Sequence, residues 1–276
     1  MITRRDILKC GLATLTVPYI GRGEPRRSML GACNVVEESE AELVNPYIQN
    51  GLEVMFDGIW NINWGNHDPT TKKWYDLKGS GRYFHIESAY SDCVSFTGSN
   101  NLKAENGGDV GFSADHDLTL TAVVTAPKSI SWQVQSMIAL GRDSFSKNGF
   151  VLGGLAGYSN VQAFWGEQYS GGTRYIVDTG FGASSRFAYS VVFYYDALQF
   201  EIYINGFKVG NTQTISPTVW NLDGMTDLRL AMGANSGALN DTTGFRLHNV
   251  LLYSRPLSDE EITHNYLIDK ERFGIM

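Results

Sequence analysis

Residues 244–267, GFRLHNVLLYSRPLSDEEITHNYL, restrict the fold of this chain more than any other segment. Their first ten positions alternate between apolar and polar residues, which predicts a β-strand. The expected faces of this strand are Phe245, Leu247, Leu251 and Tyr253 on one side and Val250 and Leu252 on the other. Pro256 ends the strand because it cannot donate a ladder hydrogen bond. Ser258 and Glu261 have the spacing of a capping box, so a short helix follows and closes the domain.

Residues 187–210 predict a second local structure, an antiparallel hairpin, because apolar and polar residues alternate on both of its arms. Asn205-Gly206 is the turn of this hairpin. A type I′ turn needs a positive φ at both central residues, and Asn followed by Gly adopts that backbone with little strain. The segment therefore indicates an antiparallel sheet.

Similar strand patterns recur along the rest of the chain. Predicted strands lie near residues 52–56, 92–96, 118–125, 136–140, 149–155, 162–165, 174–178, 186–194, 200–204, 228–232 and 244–253. With 30 glycines and 43% hydrophobic residues, the chain has the composition of one turn-rich β domain. We predict an all-β fold, a two-sheet antiparallel jelly-roll sandwich with a short C-terminal helix. That helix would pack Ile262, Tyr266 and Leu267 against the edge of the sandwich.

The charge of the chain is unevenly distributed. The whole chain has a net charge of −7. Residues 1–33 contain six basic and two acidic residues, a net charge of +4, so the remaining residues, 34–276, have a net charge of −11. An acidic body argues against nucleic acid as a partner, because phosphate neutralisation dominates that affinity. No run of 18 or more apolar residues predicts a transmembrane span.

The N-terminal 42 residues have two interpretations. Arg4-Arg5 ahead of a short apolar run resembles a twin-arginine export signal, although residues 21–27 lack a small-residue cleavage site. Alternatively, residues 1–42 are a basic docking arm with an acidic linker, and residues 43–276 are the jelly-roll domain. Three cysteines, Cys10, Cys33 and Cys93, predict free thiols, and a Cys33–Cys93 disulfide is the alternative.

Several segments of the sequence resemble one family. They are the FDG at residues 56–58, the WYDLKGSG at 74–81, the TLTAVV at 119–124, the IYING at 202–206 and the closing segment 244–262. Residues 45–272 are similar to the concanavalin A-like, laminin-G-like jelly-roll domains of bacterial and phage surface proteins. The resemblance implies an extracellular, cell-surface or virion location.

β-Glucanases of this superfamily carry an E-x-D-x-E strand, whose paired carboxylates hydrolyse glycosidic bonds. The most similar segment here keeps Glu201 but has Tyr203 and Asn205 at the other two positions, so the carboxylate pair is broken. Glu53 and Asp57 would share a strand face but lack a third partner. The five histidines show no H-E-x-x-H spacing. We therefore predict a protein that is not an enzyme.

Binding is the remaining class of function. Aromatic rings bind sugars by packing against the apolar face of a pyranose, and amide or carboxylate side chains bind the sugar hydroxyls. Three predicted loop clusters combine such groups, and in each the alternative is a structural loop whose aromatic residues close the sandwich end. The candidate ligand-binding residues are Trp64 and His67, Trp165, Tyr169 and Arg174, and Asn235 and Asp241.

Calcium is a candidate ligand, because many laminin-G-like domains hold this ion at a loop rim through carboxylate and carbonyl oxygens. The residues with suitable chemistry are Asn235, Asn240, Asp241, Asp109, Asp115 and Asp117. Their spacing defines no ligand set, and we expect no cofactor to be required.

Two functions from different classes remain. One is a glycan-binding or adhesion module that recognises carbohydrate or a cell-surface glycan. The other is a structural virion protein, such as a capsid decoration or tail fibre, docked on a larger particle through residues 1–42.

Overall fold

The computed structural model describes residues 45–59, 67–68, 72–86, 88–95, 102–103, 116–126, 135–140, 150–154, 160–165, 175–214, 228–230 and 246–276. They belong to one compact unit, Asn45–Met276. The predicted domain boundary after residue 42 lies outside them. The strands are β1 (Leu52–Asp57), β2 (His67–Asp68), β3 (Lys73–Tyr75), β4 (Tyr83–His85), β5 (Ser88–Ala89), β6 (Val94–Ser95), β7 (Leu102–Lys103), β8 (Leu118–Thr125), β9 (Gln135–Leu140), β10 (Phe150–Gly154), β11 (Val161–Trp165), β12 (Tyr175–Asp178), β13 (Arg186–Tyr194), β14 (Gln199–Ile204), β15 (Phe207–Lys208), β16 (Gln213–Thr214), β17 (Leu228–Leu230) and β18 (Arg246–Tyr253).

The strands form three antiparallel sheets. The nine-stranded sheet has the order β15-β14-β13-β8-β18-β6-β5, with β1 also on β18 and β16 also on β14. The six-stranded sheet has the order β12-β11-β10-β9-β17-β7, and β2-β3-β4 form a small third sheet. The predicted antiparallel sandwich is confirmed, and the third sheet is an element that the sequence analysis did not predict.

The main core lies between the two large sheets. Both sheets contribute buried apolar residues to it, for example Leu120, Tyr189 and Val250 from the nine-stranded sheet and Leu152 and Val161 from the six-stranded sheet. Strand alternation explains this layer, since every second side chain of a strand points to the same face. The core fixes the position of the strands from which the loops extend.

β18 departs from the predicted pattern of faces. A β-bulge interrupts its pairing with β8 between Leu247 and Asn249. An extra residue at a bulge reverses the alternation, so Leu247 joins the main core with Val250 while Leu251 lies in the cluster on the opposite face. The prediction that Leu247 and Leu251 share a face is therefore wrong. The prediction that Val250 and Leu251 face opposite sides is confirmed.

Helix α1 (Asp259–Phe273) begins at the predicted capping box. Ser258 accepts a hydrogen bond from the Glu261 amide at 3.3 Å, and the Glu261 carboxylate accepts one from the Ser258 amide at 3.0 Å. Gly274 ends the helix in the left-handed conformation, with φ 64°. Three acidic residues in the first turn and two basic residues in the last add a favourable interaction with the helix dipole.

The position of α1 corrects a second expectation. Ile262 packs against the outer face of the nine-stranded sheet, in contact with Leu251 and Tyr253, and Phe273 packs against Val123 of the same face. The helix therefore covers a sheet face and not an edge. Leu267, predicted to pack inward, is 57% exposed.

A buried polar network joins α1 to this sheet face. Arg272 donates to both carboxylate oxygens of Asp57, at 2.6 and 2.9 Å, and to the Tyr47 hydroxyl at 2.7 Å. The Asp269 carboxylate accepts from Tyr47 and from Asn249, each at 2.6 Å. Hydrogen bonds and opposite charge offset the cost of burying these polar groups.

The Asn205–Gly206 turn has the predicted geometry, with φ values of 51° and 80°. The turn also packs against α1. A Cβ atom added at Gly206 would lie 2.7 Å from Cδ1 of Tyr266 in that helix. We expect Gly206→Ala to lower the free energy of unfolding by about 1–3 kcal/mol, since it combines left-handed backbone strain with a steric clash. Chemical denaturation measures this change.

Gly210→Ala is the matched control, because Gly210 also has a positive φ, 72°, but a Cβ there has no atom within 4 Å. The control isolates the backbone strain, and Gly206→Ala should cost more. Equal losses for the two variants would show that the contact with Tyr266 contributes nothing.

Candidate functional site

The third sheet presents a row of ring-bearing and basic side chains on its outer face. Trp74 and Phe84, the central residues of β3 and β4, are buried against Phe56, with ring centroids 5.3 and 4.8 Å away. Because Trp74 pairs with Phe84, the residues on either side of them share the other face. These four half-buried residues, Lys73, Tyr75, Tyr83 and His85, are called the hairpin surface below.

Tyr83 is the centre of the hairpin surface. Its ring centroid lies 5.6 Å from that of Tyr75, tilted by 56°, and 5.4 Å from that of His85, in an edge-on arrangement. The Lys73 ammonium lies 4.0 Å from the Tyr83 centroid, a cation–π contact. Three rings and a cation thus form one continuous surface.

Asp76 holds the loop between β3 and β4 in place. Its Oδ1 accepts from the amides of Met55 at 2.9 Å and Lys78 at 3.0 Å, and its Oδ2 accepts from the Ser80 hydroxyl at 2.5 Å. Gly79 and Gly81 both have a positive φ. The Asp76 carboxylate is buried. It is used for structure and does not contribute to the outer face.

The structure places only some of the predicted ligand-binding residues. Trp64, Tyr169, Arg174, Asn235 and Asp241 lie outside the described residues, as do the predicted calcium ligands Asn240, Asp109 and Asp115. His67 is in β2, where it pairs with Trp74 of the third sheet. Trp165 ends β11 in the six-stranded sheet, where it pairs with Phe150 and Tyr175. These two candidates are thus in different sheets.

Asp117, the remaining predicted calcium ligand, has a structural partner. Its Oδ1 accepts from the Tyr195 amide at 2.8 Å, which ties the start of β8 to the β13–β14 turn. Both residues line a cavity of about 330 Å³ with His116, Asp196, Ser254, Arg255 and Pro256. Arg255 is bound to Glu261 at 2.6 Å and to the Asn50 carbonyl at 2.9 Å. The main cation of this cavity is therefore already paired.

Asp92, Cys93 and His248 each place a potential metal-ligating atom within 4.8 Å of the others. His248 Nδ1 lies 3.0 Å from the Asp92 carbonyl oxygen and Nε2 lies 2.9 Å from the Thr125 hydroxyl, so both ring nitrogens have partners. Burial and the Arg186 guanidinium lower the pKa of His248 to about 4. Burial and Asp92 raise the pKa of Cys93 to about 12.

The raised pKa of Cys93 and the two engaged ring nitrogens of His248 disfavour a metal ion at the cluster. A cation binds a cysteine as the thiolate, which the raised pKa opposes. It would also lie beside Arg186, whose guanidinium is 3.3 Å from the Asp92 carboxylate. The arrangement suits a structural connection, in which the β18 bulge is held to the loop before β6.

Glu201 lies in a closed hydrogen-bond cluster. Its carboxylate accepts from Lys208 at 2.5 Å, Thr212 at 2.6 Å and Tyr203 at 3.0 Å. Burial raises its pKa, but these hydrogen bonds outweigh burial and hold the pKa below its usual value. Tyr203, at the aspartate position of the glucanase pattern, also donates to Asp259 at 2.6 Å. A depressed pKa is the opposite of what a general acid for glycoside hydrolysis needs.

The fold and part of the sequence match known proteins. A laminin-G family model, described as concanavalin A-like lectin/glucanases superfamily, matches residues 96–263. The fold is similar to that of a Trypanosoma rangeli sialidase, with a TM-score of 0.57 and 14% identity over 80% of this chain and 33% of the sialidase. It is also similar to the botulinum neurotoxin serotype D binding domain, with a TM-score of 0.54 and 12% identity over 79% of this chain and 51% of that domain.

This chain thus spans about a third to a half of the length of these structures. No curated protein matches its sequence. At these identities the likeness concerns the fold alone, and it confirms the predicted concanavalin A-like sandwich. Among the described residues, no helix has the length and apolar character that a membrane span requires.

Proposed function

The chain belongs to the concanavalin A-like lectin/glucanase superfamily, and on that premise we propose that it is a non-catalytic glycan-binding module. The hairpin surface is the observation that carries this proposal. Aromatic rings stack on the apolar face of a pyranose, while amide and basic groups bind its hydroxyls. Tyr83, flanked by Tyr75 and His85, offers both kinds of contact within one strand pair.

The absence of catalysis is part of the proposal. Glu201, the carboxylate that matches the first position of the glucanase pattern, accepts hydrogen bonds from Lys208, Thr212, Tyr203 and Tyr194, and these favour its ionised form. Its neighbour on the same strand face is Tyr203 and not a second carboxylate. Retaining hydrolysis needs a second carboxyl group about 5–5.5 Å away. The carboxylate that comes near Glu201 is Asp259, but the Tyr203 hydroxyl lies between them, 3.0 Å from Glu201 and 2.6 Å from Asp259, so both carboxylates are already engaged. Incubation with a panel of β-glucans should therefore release no reducing ends.

A substitution in the hairpin surface tests the binding site. We expect Tyr83→Ala to lower the association constant for a bound oligosaccharide about threefold to tenfold, because an aromatic contact contributes about 0.5–1.5 kcal/mol. A glycan array identifies the oligosaccharide, and titration calorimetry measures the constant, with and without a calcium chelator.

Tyr90→Ala is the matched control for this test. Tyr90 is 42% exposed and also carries a cation on its ring, Arg246 at 4.7 Å from the centroid, but it lies outside the third sheet. It should retain the affinity of the unsubstituted protein. If Tyr83→Ala and Tyr90→Ala bind the oligosaccharide with equal affinity, the binding site does not lie at the hairpin surface. If the wild-type protein binds no glycan, the proposed function is wrong.

We also propose that the module is displayed on a bacterial surface or a phage particle, as the resemblance of its sequence implies. The basic residues 1–33 support either an export signal or a docking arm. The intact mass of the natural protein separates the two. Loss of about twenty to thirty N-terminal residues is the result expected of export with processing, whereas retention of Met1 is expected of a structural virion protein docked by its arm.

A further inference from the structure

We propose that the hairpin surface selects acidic glycans, that is, oligosaccharides that carry carboxylate groups. This inference rests on the proposed function and specifies the ligand of the same site. It depends on three observations: the local charge, the absence of acidic partners for the cations concerned, and the burial of the one acidic residue in the hairpin.

The β3–β4 hairpin, residues 72–85, has a net charge opposite in sign to that of the domain. Residues 72–85 contain four basic residues and one acidic residue, within a body that carries a net charge of −11. The basic residues are Lys72, Lys73, Lys78 and Arg82. Asp68 of β2 pairs with Lys73 of β3, so residues 67–85 together contain four basic and two acidic residues, a net charge of +2.

Three cations of the β3–β4 hairpin, residues 72–85, form no salt bridge with a side chain that the structure describes. Lys72 and Lys78 are exposed, Arg82 is half-buried, and none of the three forms a salt bridge with another described residue. Four cations in other parts of the domain do pair with a carboxylate, at 2.5–3.3 Å: Arg186 with Asp92, Lys208 with Glu201, Arg255 with Glu261 and Arg272 with Asp57.

The acidic residue of the hairpin is directed inward. Asp76 is 6% exposed, and both of its carboxylate oxygens accept hydrogen bonds from the loop or from β1. It therefore does not neutralise Lys73 on the outer face. A local excess of basic residues in an acidic domain raises the local concentration of anionic ligands.

Acidic glycans match this combination of groups. A uronic-acid residue has an apolar ring face that suits Tyr83 and a carboxylate that a lysine or arginine binds through a charge-assisted hydrogen bond. A neutral sugar would use the ring but would offer no carboxylate to the Lys73 ammonium, which lies 4.0 Å from the Tyr83 centroid. The charge thus favours carboxylate-bearing oligosaccharides over neutral ones of the same length.

Paired oligosaccharides test the proposal. Uronic-acid oligosaccharides and their carboxyl-reduced counterparts differ only in the carboxylate, so their affinities for the full chain isolate its contribution. We expect the acidic form to bind at least tenfold more tightly at low ionic strength and this preference to decrease as salt is added. The quadruple variant Lys72→Gln, Lys73→Gln, Lys78→Gln, Arg82→Gln should lose the preference.

Lys270→Gln is the control, because Lys270 is an exposed lysine of α1 far from the third sheet in sequence; it should keep the preference. If the reduced oligosaccharide binds as tightly as the acidic one, the inference is overturned while the proposed function stands. If neither form nor any other glycan binds, both are overturned. Equal binding of single-stranded DNA and the uronic-acid oligosaccharide would indicate ion exchange and would also overturn the inference.

Discussion

Replacement of Arg272 by methionine is expected to lower the free energy of unfolding by about 3–5 kcal/mol, the cost of leaving a buried carboxylate without its partner. Asp57 is fully buried, and its two oxygens accept from the Arg272 guanidinium at 2.6 and 2.9 Å. Methionine keeps the length of the side chain but supplies no charge. Chemical denaturation monitored by tryptophan fluorescence measures the loss.

Two further variants separate the ion pair from the helix. Lys270→Ala removes an exposed cation from the same last turn of α1 and should change stability by less than about 0.5 kcal/mol. Adding Asp57→Asn to Arg272→Met removes the uncompensated charge and should recover part of the loss. A loss below about 1 kcal/mol for Arg272→Met alone would mean that the pair does not hold α1 on the sheet.

Asp269→Asn is expected to change the pH dependence of stability. Burial raises the pKa of Asp269 to about 7, and the hydrogen bonds from Tyr47 and Asn249 and the charge of Arg272 offset only part of that effect. The folded protein therefore holds a proton that the unfolded chain releases near pH 4. The stabilisation linked to this proton is complete below about pH 4 and is lost as the pH rises through about 7.

The size of this effect follows from the two pKa values. Between about pH 5 and pH 8, the wild-type protein should lose about 2–3 kcal/mol relative to Asp269→Asn, which cannot ionise. Denaturation at the two pH values measures this difference. Asp196→Asn, which removes an exposed carboxylate, is the control for the loss of one acidic group. Parallel pH profiles for wild type and Asp269→Asn would contradict the account.

The features that the sequence predicted correctly depend on neighbouring residues. Ser258 and Glu261 are three residues apart, and Asn205 and Gly206 are adjacent, so the physical cause of each structure lies within one turn of chain. The long strands β8 and β13 have the predicted bounds, Leu118–Thr125 and Arg186–Tyr194.

The missed features depend on contacts between distant parts of the chain. β3 and β4 have three residues each, too few for alternation to define a strand. The signal that was available was the apolar Trp74 and Phe84, each between two polar or ring-bearing residues. The Asp57–Arg272 pair joins residues 215 apart, and no spacing in the sequence indicates it. The β18 bulge is defined by the shift in its pairing register with β8, a feature that depends on both strands.

The central claim is that glycans bind at the hairpin surface, and the aromatic NMR resonances of the protein test it most directly. During titration with an oligosaccharide selected on the array, the ring signals of Tyr75, Tyr83 and His85 should shift together and saturate, while those of Tyr90 stay in place. Shifts confined to His116 and Tyr195, which line the cavity at the start of β8, would contradict the claim and place the ligand there.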